Sequence, residues 1–409
     1  MHILLVHQNF AALDEPGGTR HHELARYLVE RGHQVTVITS PVSYLTGETT
    51  PNSPSRFTSQ MGGGKGGGEV TILRAYTYPA LHRSFVHRVF SFLSFMAASF
   101  LAGLRVHHVD LVWGTSPPIF QGVTAWALAR LKGAPFLFEV RDLWPAFAVG
   151  VGVLRQPLLI RASEWLEGFL YRRASRVMVN SPGFIEHVRS HGARRVEFVA
   201  NGADPRMFDP QADGAGFRQA HRLDGKFVVL YAGAHGMSND LQVVLEAAHL
   251  LRQRPEIIIL FLGDGKEKPA LVRQAAEHDL SNVCFLPPIP KAEMPEALAA
   301  ANACIAILKP IPLYATVYPN KVFDYMAAGR PVILAIDGVI RQVVEGSQAG
   351  IFTPPGDARL LAQAIRSLAD HPDTGKAMGR NGRRSVEENF DRARLAEKLA
   401  CLLEEMATE

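Results

Sequence analysis

The 409-residue chain is poor in cysteine, holding only Cys284, Cys304 and Cys401. Their spacing fits no metal-binding motif, and an odd number cannot form a complete disulfide set. A reducing cytoplasm is the expected compartment. Long apolar runs are also scarce. The most extended, VFSFLSFMAASFLAGL at 89–104, has 16 residues, short of the ~20 needed to cross a bilayer. The opening MHILLVHQNF reads as a strand and lacks the charged flank and cleavage site of a signal peptide. A strong charge imbalance is missing too. The net charge is +4 and the pI near 9.0, too mild to point to a nucleic-acid partner. One absence is local: no acidic residue lies between Glu69 and Asp110, an interval with Arg74, Arg83, Arg88, Arg105 and four histidines. Residues 70–109 therefore read either as carrying a buried core helix or as an amphipathic surface that docks on anionic lipid.

What is present is hydrophobic and alternating. Hydrophobic residues make up 47% of the chain, enough for two or three domains, each with a full core. HILLV (2–6), the helical pattern TRHHELARYLVERG (19–32) and QVTVIT (34–39) form a βαβ unit whose helix closes at Gly32. LVWGT (111–115), PFLFEVRD (135–142), RVMVNS (176–181) and RVEFVAN (195–201) continue as strands. GGGKGGG (62–68) is a flexible loop, because it lacks the strand-before, helix-after context of a phosphate cradle. A second series follows: FVVLYAG (227–233), IIILFLGDG (257–265), VCFLPPI (283–289), ACIAIL (303–308) and PVILAI (331–336). This alternation predicts α/β architecture: two doubly wound, Rossmann-like domains, each with a parallel sheet covered on both faces. The domains are read as 1–203 and 204–390, with a helix in 391–409 crossing back to the first. Ligands in such sheets bind beyond the carboxyl ends of the strands, and two facing domains form a cleft.

The stretch YPNKVFDYMAAGRPV (318–332) predicts a helix from Asn320 to Gly329. Lys321 and Asp324 share one side of it, with Val322 and Met326 on another. A helix front carries unpaired N–H groups and partial positive charge, so Lys321 makes it an anion site for a phosphate. Asp324 suits a vicinal diol such as a ribose. The plainer reading is an i, i+3 ion pair on a solvated face. Glycines after the strands, Gly233 and Gly236 in YAGAHG and Gly263 and Gly265 in LGDGKEK, mark close backbone approach or simple turns. Lys266 and Lys268 stand beside the latter, and Ile289 in LPPIP offers backbone groups to a flat base. No pair of carboxyl groups suited to glycoside hydrolysis stands out, and no acidic metal-binding motif.

PNKVFDYMAAGRPV resembles the P-x-K-x-x-E-Y-M-A-x-G-x-P-V signature of the retaining glycosyltransferases of family 4, which have the GT-B fold. EVRDLWP (139–145), with GTSPP (114–118), is similar to the bacterial branch containing L-fucosamine (N-acetyl-L-fucosamine) transferases of O-antigen and capsule synthesis. PGGTRHHELARYLVERGHQVTVIT (16–39) resembles the family's first glycine loop and βαβ unit. The resemblance implies that Gly17 and Gly18 border the donor diphosphate. Arg141 and Asp142 then act near the donor sugar or the acceptor, with Asn180 and Ser181 lining the cleft. It also implies that Gly233, His235, Gly263, Gly265 and Lys268 surround the diphosphate or sugar, that Ile289 meets the base, that Asn320 and Lys321 meet the phosphates, and that Asp324 meets the ribose. Lys321 joins Arg141 and Asp142 as a catalytic candidate.

The sequence departs from the pattern in places. Thr316 stands where many relatives have an acid, AHGMSND (234–240) lacks the usual Arg and Lys, and Asp324 replaces Glu. The implied activity is transfer, with retention, from a nucleoside-diphosphate sugar, preferably UDP-linked, needing no obligatory cofactor or metal. The implied acceptor is a polyprenyl-diphosphate-linked saccharide at the inner face of the membrane. An epimerase of the same fold, a non-catalytic nucleotide-sugar-binding protein and a periplasmic binding protein are the competing readings; the missing signal peptide counts against the last.

Overall fold

The structure is a computed structural model that describes residues 1–15, 17–42, 58–61, 70–80 and 85–409. The GGGKGGG loop, Pro16 and Arg83 lie outside the described residues. Contacts divide the chain into two units: Met1–Ala12, Gly17–Ala200 and Ala393–Glu409 form one, and Leu13–Pro16 with Asn201–Arg392 the other. The division falls at Ala200 rather than 203 because Asn201 and Ala203 are tied to the second unit. Asn201 Nδ2 donates to the Tyr318 carbonyl at 2.7 Å, and the Ala203 N–H to the Phe390 carbonyl at 3.1 Å.

The first unit is an eight-stranded sheet. Its strands are β1 (His2–Val6), β2 (Gln34–Thr39), β3 (Thr58–Met61), β4 (Val70–Arg74), β5 (Leu111–Ser116), β6 (Phe136–Val140), β7 (Arg176–Val179) and β8 (Val196–Phe198). The spatial order is β3-β4-β2-β1-β5-β6-β7-β8, parallel except for the edge pair β3–β4. β1 and β5 are buried along their whole length, as strands covered on both faces must be. The second unit has six parallel strands: β9 (Phe227–Ala232), β10 (Ile257–Leu262), β11 (Val283–Leu286), β12 (Ala303–Ile307), β13 (Val332–Ala335) and β14 (Gly350–Phe352). They run in the order β11-β10-β9-β12-β13-β14. Separate apolar cores cover its two faces, one holding Val322, Phe323 and Met326, the other Val244, Phe261 and Ile365. β3, β4 and β14 are additions to the strands read from the sequence.

The carboxyl-terminal helix, Arg392–Thr408, belongs with the first unit from Ala393 onward. Glu404 accepts from Arg31 Nε at 2.9 Å and faces His33 at 3.0 Å, while Arg176 reaches Glu405 and Glu409, each at 2.6 Å.

The apolar run near residue 95 departs from expectation. The helix spans Phe85–Leu104, 20 residues rather than 16, because the flanking Phe85–Arg88 join it. It is thus long and apolar enough to cross a bilayer by length and composition. Nor is it a buried core helix: only 22% of its His87–Leu104 window is buried, and Phe90, Leu93, Leu101 and Leu104 are exposed.

Candidate active site

The carboxyl ends of β9, β10 and β11 in the second unit gather most of the residues singled out from sequence. Gly233 follows β9 at φ +136°, a region that L side chains rarely adopt, and a Cβ there would lie 2.7 Å from Lys321 Nζ. Gly263 follows β10 at φ +144°, where a Cβ would lie 2.0 Å from the Gly233 carbonyl oxygen. Two loops are therefore pressed together, joined by the His235 N–H to the Asp264 carbonyl at 2.8 Å and the Glu267 N–H to the His235 carbonyl at 2.9 Å. What Gly263 and Gly265 approach closely is the neighbouring loop. Lys268 closes the same turn. Its ammonium donates to the carbonyls of Gly263 (2.7 Å) and Leu286 (2.9 Å), so it secures the loops rather than projecting from them.

His235 is fully buried, its ring among Tyr231, Phe261 and Phe285, and among the described residues neither ring nitrogen has a hydrogen-bond partner. Desolvation, reinforced by the charges of Lys268 and Lys321, pushes it down to about 4, so the imidazole is neutral. Its backbone N–H and carbonyl are taken up by the Asp264 and Glu267 bonds, so the residue joins the two loops.

The helix Asn320–Ala327 supplies the charge. Val322 and Met326 anchor it in the core. The Tyr325 hydroxyl ties it to the end of β9, accepting from the Ala232 N–H at 3.0 Å and donating to the Ala232 carbonyl at 3.2 Å. β12 pairs with β9 at Val229 and Leu230 and no further along β9, so this hydroxyl extends the bonding where the ladder stops. Tyr325→Phe should leave both Ala232 groups unsatisfied and cost about 1–3 kcal/mol. Urea unfolding of the variant checks this, and an unchanged midpoint would show that the hydroxyl is dispensable.

The i, i+3 ion pair between Lys321 and Asp324 does not form. Among the described residues Lys321 has no carboxylate partner; its ammonium sits 4.0 Å from the centroid of the Tyr231 ring. Desolvation pushes it down to about 7. Asp324 instead meets Lys291 at 2.5 Å, a residue that the sequence reading missed. Lys291 follows the LPPIP turn, and both its ammonium and the Asp324 carboxylate are largely buried. Ile289 stands in the same turn, and among the described residues its backbone N–H and carbonyl have no partner. Asn320, at the helix start, accepts from Arg392 Nη2 at 3.0 Å. Thr316 closes a short turn by donating to the Leu313 carbonyl at 2.6 Å.

The first unit has a polar cluster of its own at the carboxyl ends of β1 and β6. Glu139 is completely buried within β6, where it pairs with Arg20 and accepts from His21 Nε2 at 2.6 Å. Burial alone would raise its carboxyl, but Arg20 and then His21 outweigh that and hold it well below the usual range. Burial pushes His21 down to about 4. His7 lies edge-on to His21, 4.3 Å between ring centroids. Polar residues inside apolar strands, Glu139 in FLFEV and His7 after HILLV, were the available signal for this cluster, and the sequence reading passed over it.

The cluster holds the first turn of the Arg20–Glu30 helix against β6, which places Gly17 and Gly18 just before that helix. Arg141 turns back onto the end of β5, donating to Thr115 Oγ1 at 2.9 Å and to the carbonyls of Ser116 (3.1 Å) and Pro117 (3.2 Å). Asp142 beside it is exposed; desolvation draws its carboxyl upward, an effect that water screens. Asn180 and Ser181 are both buried.

Comparison with known proteins agrees with this architecture. Residues 17–202 match a family model described as a Glycosyl transferase 4-like domain, and residues 226–371 match Glycosyl transferases group 1. WcaI of Escherichia coli K12, whose name places it in colanic acid biosynthesis as a glycosyl transferase, is 26% identical over 326 residues, 77% of this chain and 78% of that protein. The sucrose-phosphate synthase of Thermosynechococcus elongatus superposes with a TM-score of 0.78 at 21% identity, covering 99% of this chain and 98% of that one. HepE of Anabaena, solved in complex with UDP and glucose, gives 0.73 at 17% identity, covering 99% and 100%. The two family matches together span most of the chain, and the chain belongs to the glycosyltransferases of the GT-B fold, with a 4-like domain followed by a group 1 domain.

Proposed function

We propose that the enzyme transfers an N-acetylamino or deoxy sugar from a UDP-linked donor, with retention of anomeric configuration, to a lipid-linked saccharide in cell-surface polysaccharide synthesis. The observation that carries the donor site is Lys321: a lysine without a carboxylate partner among the described residues, held at a helix front beside two glycine turns. In this reading its ammonium and the free N–H groups of the helix neutralise charge growing on the departing β-phosphate, and no metal is needed. The departing phosphate helps deprotonate the acceptor. Asp324, steadied by Lys291, receives the ribose hydroxyls, Ile289 meets the base through its backbone, and Asp142 orients donor-sugar or acceptor hydroxyls. Gly17 and Gly18 border the diphosphate. The sugar and acceptor class follow the L-fucosamine-branch resemblance of EVRDLWP, and the polysaccharide role is supported by the name of WcaI. UDP is supported by the ligands of HepE.

A thermal-shift screen of UDP, GDP, ADP and their sugars tests the donor. UDP compounds should raise Tm selectively, since a ligand at 100 times its Kd adds about 2.7 kcal/mol. Selectivity for GDP or ADP would overturn the base, and no rise with any nucleotide would overturn the donor site. Epimer formation without acceptor would instead identify an epimerase, which the transferase names of the relatives do not favour.

The acceptor side is read as peripherally bound at the inner face of the membrane through 70–109. This interval has no acidic residue, and its exposed Phe90, Leu93 and Leu101 lie on one helix between Arg88 and Arg105. The protein should float with anionic liposomes, and Arg88→Glu with Arg105→Glu should release it. Undiminished flotation of that double variant would remove the claim of surface attachment.

A further inference from the structure

A separate cluster in the first unit has no part in the reading above. The helix Pro157–Arg173 carries Glu167, and the short helix Ile185–Ser190 with its following residue carries His187 and His191. Each of the three offers a donor atom, and these atoms all lie within 4.8 Å of one another. Two histidines four residues apart share a helix face, and a glutamate from a neighbouring helix completes a His2Glu set, a recurrent zinc ligand group.

Three details go beyond proximity. The Glu167 side chain is 1% exposed, and both of its hydrogen-bond donors, the Tyr171 hydroxyl (2.8 Å) and His187 Nε2 (2.9 Å), approach Oε1. Among the described residues nothing donates to Oε2, so a nearly buried carboxylate oxygen lacks a partner. His191 Nδ1 lies 2.8 Å from the His187 carbonyl, which can only accept, so Nδ1 carries the proton and the other nitrogen keeps the lone pair. A second hydrogen bond of this kind is how metal-binding histidines are usually oriented. The two imidazoles are stacked, 4.0 Å between centroids and 19° between planes, so both are near one another and an ion bridging them tilts the rings until their lone pairs converge.

We infer that Glu167, His187 and His191 bind one divalent transition ion of the zinc type, with water completing four-coordination. Imidazole with one carboxylate suits zinc over magnesium or calcium, which prefer all-oxygen sites. Binding moves the His187 proton from Nε2 to Nδ1, freeing Nε2 for the metal, and the Tyr171 hydroxyl keeps the carboxylate oriented. The ion joins two helices through side chains remote in sequence, so its effect is on the stability of the first unit.

The test uses the full chain, stripped with a chelator and desalted, then titrated with Zn2+ by calorimetry and with Co2+ by visible absorption. The expected result is one tight Zn2+ per chain, the intense visible bands of low-coordinate Co2+, and a higher Tm with Zn2+. The double variant His187→Gln, His191→Gln should lose all three, which separates this site from adventitious binding by the rest of the chain's 16 histidines. His191→Gln alone leaves the Glu167 hydrogen bonds intact and should weaken Zn2+ at least tenfold; it decides the matter if the double variant does not fold. Unchanged affinity in either variant, or no Zn2+ bound at 100 µM, overturns the inference.

Discussion

Lys321→Met is expected to lower kcat/KM for sugar transfer by about 10²–10³-fold, the usual cost of removing one preorganised group that stabilises transition-state charge. The fold should survive, because Lys321 makes no ion pair among the described residues and methionine can lie over the Tyr231 ring. Its acidity adds a second readout. Desolvation has pushed the ammonium down to about 7, so above that pH the donor-free enzyme holds a largely neutral amine. A diphosphate restores the charged form, so donor binding near pH 8 should take up a proton, and affinity should fall as pH rises from 7 to 9. Calorimetry in buffers of different ionisation enthalpy measures the uptake. The stability sign is opposite: between pH 7 and the ordinary lysine value the unfolded chain binds more protons, so this group makes the donor-free protein more stable as pH rises. A Lys321→Met enzyme with full activity, or binding without proton uptake, would remove Lys321 from the donor site.

Glu139→Gln should cost about 3–5 kcal/mol, the range for removing one partner of a buried ion pair. Glu139 is wholly buried and Arg20 nearly so, and the neutral amide takes the Glu139 charge away from a guanidinium that stays buried. The double replacement Glu139→Leu, Arg20→Met should be far milder, since apolar side chains of similar volume carry no desolvation penalty. Denaturant unfolding of the three proteins checks both statements, and equal losses in single and double variants would show that packing, not charge, is responsible. The same pair sets the acid limit. The depressed Glu139 contributes stability that is present above the ordinary glutamate value and is lost as pH falls toward its folded value. His21, lowered to about 4, contributes stability that is lost as pH falls from 6.5 toward 4. Both effects weaken the first unit in acid, and Glu139→Gln should flatten the part due to the carboxylate.

Local signals carried the sequence reading a long way. The helix expected from Asn320 to Gly329 runs Asn320–Ala327, with Gly329 at φ +67° just beyond it, because a glycine in that conformation stops a helix wherever the chain goes next. The strand series was legible for the same reason: fully buried parallel strands are short apolar runs. Lys291 was not legible as the partner of Asp324, since 33 residues and three further elements separate them. The 20-residue helix was undercounted because Phe85–Arg88, mixed in character, join its apolar run only in three dimensions.

The sequence by itself determined the two α/β series, the glycine turns after the strands, and a lysine and an aspartate on one helix face, because these depend on periodicity and local backbone preference. Tertiary structure alone decided which charge meets which: Lys321 over an aromatic ring, Asp324 with Lys291, Lys268 on two carbonyls, Glu139 with Arg20. Those pairings join residues distant in the chain, and the desolvation that sets their protonation exists only once the sheets are packed.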